Sequence, residues 1–154
     1  MSTAKPATSA KENTYEIKKN GEIYHIERAV MYYCSIGEFR RQTLSFSPPM
    51  EAMYRLNISI AFNYSTPAGT YNFEAGSPAS ARILEEKKIG NVWVGRGISI
   101  SSGSVILTTA DPVEQIMEGS FEFDVKLYEQ NDPLKFGGVF YFDGSSCTWE
   151  SLPK

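Results

Sequence analysis

Residues 54–64 read YRLNISIAFNY, and this stretch decides the fold. Tyr54, Leu56, Ile58, Ile60, Phe62 and Tyr64 fall on one side of an extended chain, and Arg55, Asn57, Ser59, Ala61 and Asn63 fall on the other. Strict period two with one apolar side marks a half-buried β-strand. Turn chemistry brackets it, Ser47-Pro48-Pro49 before and Thr66-Pro67-Ala68-Gly69 after. Working outward, further strands are expected at 28–34, 39–46, 70–73, 92–100, 104–109, 118–128, 136–142 and 147–150. Turn signals such as Gly76-Ser77-Pro78, Gly90-Asn91 and Asp143-Gly144 divide them. The most helix-compatible stretch, ASARILEEKK at 79–88, is short. Many strands with no helical crossovers predict an all-β, antiparallel β-sandwich, with a flattened β-barrel as the alternative.

The first hairpin can be derived residue by residue. Asn20-Gly21 suits a two-residue type I′ turn, which needs positive φ at both positions. Pairing across it sets Lys19 against Glu22, Lys18 against Ile23, Ile17 against Tyr24, Glu16 against His25 and Tyr15 against Ile26. Ile17, Tyr24, Tyr15 and Ile26 then share one face, and Glu16 and His25 the other.

A Gly-x-aromatic-x-Phe frame occurs three times, as GTYNF at 69–73, GSFEF at 119–123 and GVFYF at 138–142. The intervals are unequal, so it is not a repeat array. Rings two residues apart share a face, and the alternate residues Asn72, Ser120, Glu122 and Asp124 are polar, which turns the rings toward the core. Residues 138–142 also carry Val139 and Tyr141, which suggests a strand covered on both faces. Gly95-Arg96-Gly97 lacks the rest of a dinucleotide fingerprint and reads as a bend or bulge.

The chain of 154 residues suits one domain, a flexible tail over 1–13 followed by a single sandwich over 14–154. A net charge of −3 gives no electrostatic reason to expect nucleic acid. The longest apolar run, Ala29 to Cys34, falls far short of the roughly 20 residues of a membrane span. The polar start MSTAKPATSAKENT has no apolar stretch, so the expected location is the cytoplasm, or outside by a route without a classical signal peptide. Cys34 and Cys147 are then read as free thiols.

Catalytic chemistry is thinly represented. The single histidine, His25, reads as an exposed residue beside Glu16, and a pairing with Cys34 as nucleophile lacks any nucleophile-elbow signature. Too few Cys and His exist for a zinc site, and the acidic residues Asp111, Glu114 and Glu118 do not match a calcium loop. Glu118, Glu122 and Asp124 share one strand face, the ordinary solvated side. No cofactor and no metal is expected.

Four segments taken together, PAGTY at 67–71, SGSVILT at 102–108, EGSFEF at 118–123 and GGVFYF at 137–142, carry a resemblance. Their order is similar to that of a broad group of uncharacterised all-β domains best known from Bacteroidetes surface lipoproteins, with strand patterns pGtY, sGsvtIt and GtFsf. The resemblance implies a β-sandwich and no activity or catalytic residues. The lipoprotein signal and lipid-accepting cysteine of that group have no counterpart here, so surface anchoring is not implied.

The scarcity of catalytic residues favours a non-enzymatic binding module that recognises another protein, an immunity-type or accessory protein in a bacterial host, with a homodimer as a further option. Candidate binding residues are Tyr32 and Tyr33 with Arg40 and Arg41, and the 92–96 region with Trp93 and Arg96. A carbohydrate or small-ligand binder using Trp93 or Trp149 is the alternative. A glycoside hydrolase-like enzyme using Glu118, Glu122 or Asp124 is the third reading.

Overall fold

Alternation of apolar and polar side chains runs through nearly every segment, and each therefore needs a partner strand on either side and a second sheet over its apolar face. A computed structural model describes residues 13–36, 39–49, 53–111, 113–127 and 132–143. The expected tail over 1–13 and strand over 147–150, with Cys147 and Trp149, lie outside or almost wholly outside the described residues.

In chain order the strands are β1 (Thr14–Lys19), β2 (Glu22–Ile23), β3 (Arg28–Ile36), β4 (Phe39–Ser47), β5 (Tyr54–Asn63), β6 (Gly69–Asn72), β7 (Ala79–Ile89), β8 (Val92–Ser99), β9 (Gly103–Asp111), β10 (Ile116–Val125) and β11 (Leu134–Asp143). They form a six-stranded sheet in the order β2-β1-β11-β10-β9-β6 and a five-stranded sheet in the order β3-β4-β5-β7-β8. Every ladder is antiparallel, and the two sheets do not close into a barrel, so the molecule is a β-sandwich.

The first hairpin forms in the expected register, with φ of 52° at Asn20 and 83° at Gly21. Its ladder is shorter than the pattern suggests, because β2 ends at Ile23 and the chain crosses to the other sheet. At that crossing Tyr24 takes over a structural task. The β4–β5 ladder stops at the Phe46–Ile58 pair. Beyond it, the Tyr24 hydroxyl donates to the Leu56 carbonyl at 3.1 Å and accepts from the Leu56 amide at 3.2 Å. One phenol thus stands in for the missing strand, and burial pushes its pKa up despite the Leu56 bond that partly offsets the effect.

The Gly-x-aromatic-x-Phe frames face inward. Phe73, Phe121, Phe123, Phe140 and Phe142 are buried, and Tyr71 is half-buried with its hydroxyl on the Pro67 carbonyl at 2.6 Å. Two of the frames interlock across the β10–β11 ladder, where Gly119 faces Phe140 and Phe121 faces Gly138. Each ring therefore lies opposite a residue with no side chain, which gives the glycine its purpose. Gly119 is further required because a Cβ there would collide with the Ile106 carbonyl, where the β9–β10 register shifts. Phe46 links the sheets, its ring 6.0 Å from Tyr15, 6.1 Å from Phe121 and 5.8 Å from Phe142.

One strand is added to those expected and two other expectations are corrected. The stretch at 79–88, assigned to no strand from the sequence, is strand β7, since Ala79, Ala81, Ile83 and Glu85 alternate inward and neighbours pair on both sides. Tertiary pairing overrides local helix propensity there. Gly95-Arg96-Gly97 is no bulge, because the β7–β8 register runs unbroken through it. Residues 138–142 are covered on one face only, leaving Val139 55% exposed.

Candidate functional site

Ile89-Gly90-Asn91-Val92 makes the tightest kind of hairpin, with φ of 63° at Gly90 and Ile89 paired to Val92. The ribbon it closes places β8 at an edge of the five-stranded sheet. Edges invite pairing by another chain unless they are short or guarded by charge or proline. The edges of the six-stranded sheet are short, two residues in β2 and four in β6. The five-stranded sheet has two long edges, β3 (RAVMYYCSI, nine residues) and β8 (VWVGRGIS, eight), each without proline and with one charged residue, and β8 is the one that adjoins the exposed Ile89, Val92 and Val94.

Burial along β7 shows where the ribbon leaves the sandwich. On its inward side Ile83 is fully buried and Glu85 is 5% exposed, whereas Ile89 is 64% exposed. Val92 and Val94, which face the same way on β8, are also exposed, Val94 at 52%. The opposing sheet does not reach these positions, and an apolar tip of Ile89, Val92 and Val94 overhangs the core.

A polar clamp fixes the ribbon behind this tip. Tyr54 Oη and Arg96 Nη2 both donate to the Glu85 carboxylate at 2.6 Å. Burial alone would raise the Glu85 pKa, but the bonds from Tyr54 and Arg96, with the charges of Arg96 and Lys87, outweigh it and hold the carboxyl below its ordinary value. On the outer face, buried Arg55 stacks on the Trp93 ring at 4.0 Å and donates to Glu86 at 3.0 Å. Asn57 donates to the same Glu86 oxygen at 2.7 Å. Beside this cluster runs a shallow groove of about 420 Å³ lined by Arg28, Ser45, Asn57, Ser59 and Leu84 among others.

The expected site residues do not converge on one surface. Trp93 and Arg96 belong to the ribbon but lie on opposite faces of it, by their register against Lys88 and Glu85. Tyr32, Tyr33, Arg40 and Arg41 lie on β3 and β4, at the far edge and the far end of the same sheet. Tyr33 packs edge-on against Tyr64 at 5.2 Å, and Arg41 donates to Ser80 at 2.7 Å. Reasoning from sequence overlooked Tyr54, Arg55, Glu85, Glu86 and Ile89. The available signal was the Gly90-Asn91 turn flanked by ILEEKKI and VWV, which matches a two-residue hairpin.

Among the acidic candidates, Glu122 and Asp124 are exposed and Glu118 is half-buried, accepting from Thr109 Oγ1 at 3.3 Å. By strand rise Glu118 and Glu122 are about 13 Å apart and Glu122 and Asp124 about 7 Å, so only the second pair falls within the roughly 5–9.5 Å of a glycosidase pair, and both of its side chains are exposed on the strand face. Nearby Tyr141 has its pKa raised by burial, with the charges of Asp143 and Glu118 adding to the effect. His25 is exposed. Among the described residues no group of three or more His, Cys, Asp and Glu could hold a metal ion, and no helix is long and apolar enough to cross a membrane. No family model, no curated protein and no solved structure matches the chain.

Proposed function

We propose that this chain is a non-enzymatic protein-recognition module, and that the β7–β8 ribbon is its docking surface. The observation that carries the reading is β8 itself, an eight-residue edge strand beside exposed Ile89, Val92 and Val94. Strand addition supplies affinity through backbone hydrogen bonds and specificity through alternate side chains. The apolar tip supplies burial that a solvated edge lacks. The chain would then act as an immunity-type or accessory protein that docks onto its target.

A carbohydrate platform at Trp93 is the weaker reading, since one face of that ring already carries Arg55 at 4.0 Å. Affinity capture from the native host, run with the wild type and with Gly95→Pro beside a glycan array, separates them. Proline at an edge position removes no ladder bond when its N–H points outward. Loss of specific protein partners in Gly95→Pro supports the proposal. Retention of the same partners by both chains, or glycan binding with no protein enriched, refutes it.

A further inference from the structure

A recognition edge at β8 leaves its partner to be named. Resting on that reading of the edge, we infer that the partner is a second copy of this chain, added antiparallel to β8 about a two-fold axis through Gly95.

The hydrogen-bonding parity of the ribbon sets the choices. In a two-residue hairpin the pair flanking the turn exchanges both backbone bonds, here Ile89 with Val92. Val92, Val94, Arg96 and Ile98 therefore aim their amide groups at β7, and Trp93, Gly95, Gly97 and Ser99 aim theirs away. An antiparallel copy must match members of this second set to one another. The registers that keep most of the strand paired place Val94, Gly95 or Arg96 on the two-fold axis.

The axis at Arg96 sets two like charges directly opposite, which is unfavourable in a sheet. With the axis at Val94, the exposed Val92 lies against Arg96 of the other copy, and little beyond Trp93 and Gly95 remains to pair. The axis at Gly95 pairs Gly95 with itself, Trp93 with Gly97, Val94 with Arg96 and Val92 with Ile98, using β8 from Val92 to Ile98. Apolar Val92 then meets apolar Ile98. Val94 meets the stem of an Arg96 whose charge is already held by Glu85 at 2.6 Å.

The Trp93–Gly97 pair is the most specific part. A large ring opposite a glycine is how this fold already joins β10 to β11, at Phe121–Gly138 and Phe140–Gly119. Gly97 also underlies the Arg82 guanidinium, which a Cβ at position 97 would strike. Trp93 of the second copy would thus arrive beside a cation and gain a cation–π contact. Both glycines of β8 acquire a role: Gly95 lets the strands meet on the axis, and Gly97 makes room for the Arg82 guanidinium that the ring would meet. The chain's net charge of −3 opposes association only weakly at physiological salt.

The test combines sedimentation equilibrium with cysteine cross-linking of the full chain, the wild type serving as control for Cys34 and Cys147. Paired Cα atoms of a hydrogen-bonded antiparallel pair lie about 5.5 Å apart, within disulfide reach. A Cβ at position 95 would sit in ordinary contact with Leu84 at 3.6 Å, so Gly95→Cys is accommodated. Gly95→Cys is expected to give a reducible dimer under mild oxidation, and Ser99→Cys, far from its mate in this register, none beyond the wild-type background. Gly95→Pro is expected to weaken the dimer at least roughly tenfold. A wild type monomeric at all concentrations, or a dimer cross-linked by Ser99→Cys but not Gly95→Cys, overturns the inference. If only the second copy is wrong, Gly95→Pro still abolishes capture of a different protein. If the recognition edge itself is wrong, capture is indifferent to that substitution.

Discussion

Replacing Arg96 with alanine should produce a loss of stability that depends on pH, and the sign follows from Glu85. The carboxylate is 5% exposed and is met by Tyr54 and Arg96, each at 2.6 Å. Burial is the largest influence and favours the neutral acid, while the donors and nearby charges favour the anion and prevail. Truncating Arg96 removes a charge-assisted hydrogen bond and a positive charge together, leaving Tyr54 and Lys87. A hydrogen bond to a charged group is worth about 1.5–3 kcal/mol. The Arg96 side chain is 42% exposed, so water screens part of that, and a loss of about 1–2 kcal/mol near neutral pH is expected.

The pH window follows from linkage. In the wild type the folded pKa is depressed, so its contribution is present above the unfolded value near 4.3 and is lost as pH falls through the folded value. In Arg96→Ala, burial is opposed by less, and the carboxyl moves upward. The variant's deficit should therefore be greatest near neutrality and shrink toward pH 4, as Glu85 takes up a proton and no longer needs the guanidinium. Urea unfolding at a series of pH values and fixed protein concentration measures this, with Glu85→Gln and the double variant completing a cycle. A deficit that is flat with pH, or one of equal size in the Glu85→Gln background, would refute the reasoning.

Three further outcomes test the frame that holds the ribbon. Tyr24→Phe leaves the buried Leu56 amide and carbonyl without the phenol, and should cost about 1–3 kcal/mol in urea unfolding. Gly119→Ala drives a methyl into the Ile106 carbonyl and should cost about 1–3 kcal/mol, whereas Gly137→Ala, with its nearest atom at 3.4 Å, should lower the melting temperature far less. Phe46→Ala removes the ring that joins both sheets and should cost about 3–5 kcal/mol by calorimetry or denaturant.

The strands were legible wherever one face alone is apolar. YRLNISIAFNY declared β5 because every second side chain enters the core, and Asn20-Gly21 declared its turn because few other residues accept positive φ at both positions. ASARILEEKK was not legible as a strand for a reason visible in Glu85. An inward carboxylate breaks the period-two pattern, and no local rule shows that Tyr54 and Arg96 will satisfy it. The GSFEF frame was legible as core-facing, but its glycine was not, because the reason lies on the neighbouring strand at Phe140.

The candidate site was harder to read, since what singles it out among the sheet edges is the exposure of its apolar tip, Ile89, Val92 and Val94. A hydrophobic Val94 on a period-two strand looks like core in the sequence. Only the ending of the opposite sheet leaves it exposed while Ile83, on the same face of the ribbon, is buried. Trp93 was noticed for its size, yet its surroundings follow from Arg55, which arrives from β5 through the Arg55–Glu86–Gly95 row of two ladders. That row also explains why an arginine can be buried on an outward face: Glu86 neutralises it and the indole covers it. The indole is thereby held on one side by its own chain. A ring fixed in this way loses little side-chain entropy on docking, which is the property an anchor at a strand-to-strand contact requires.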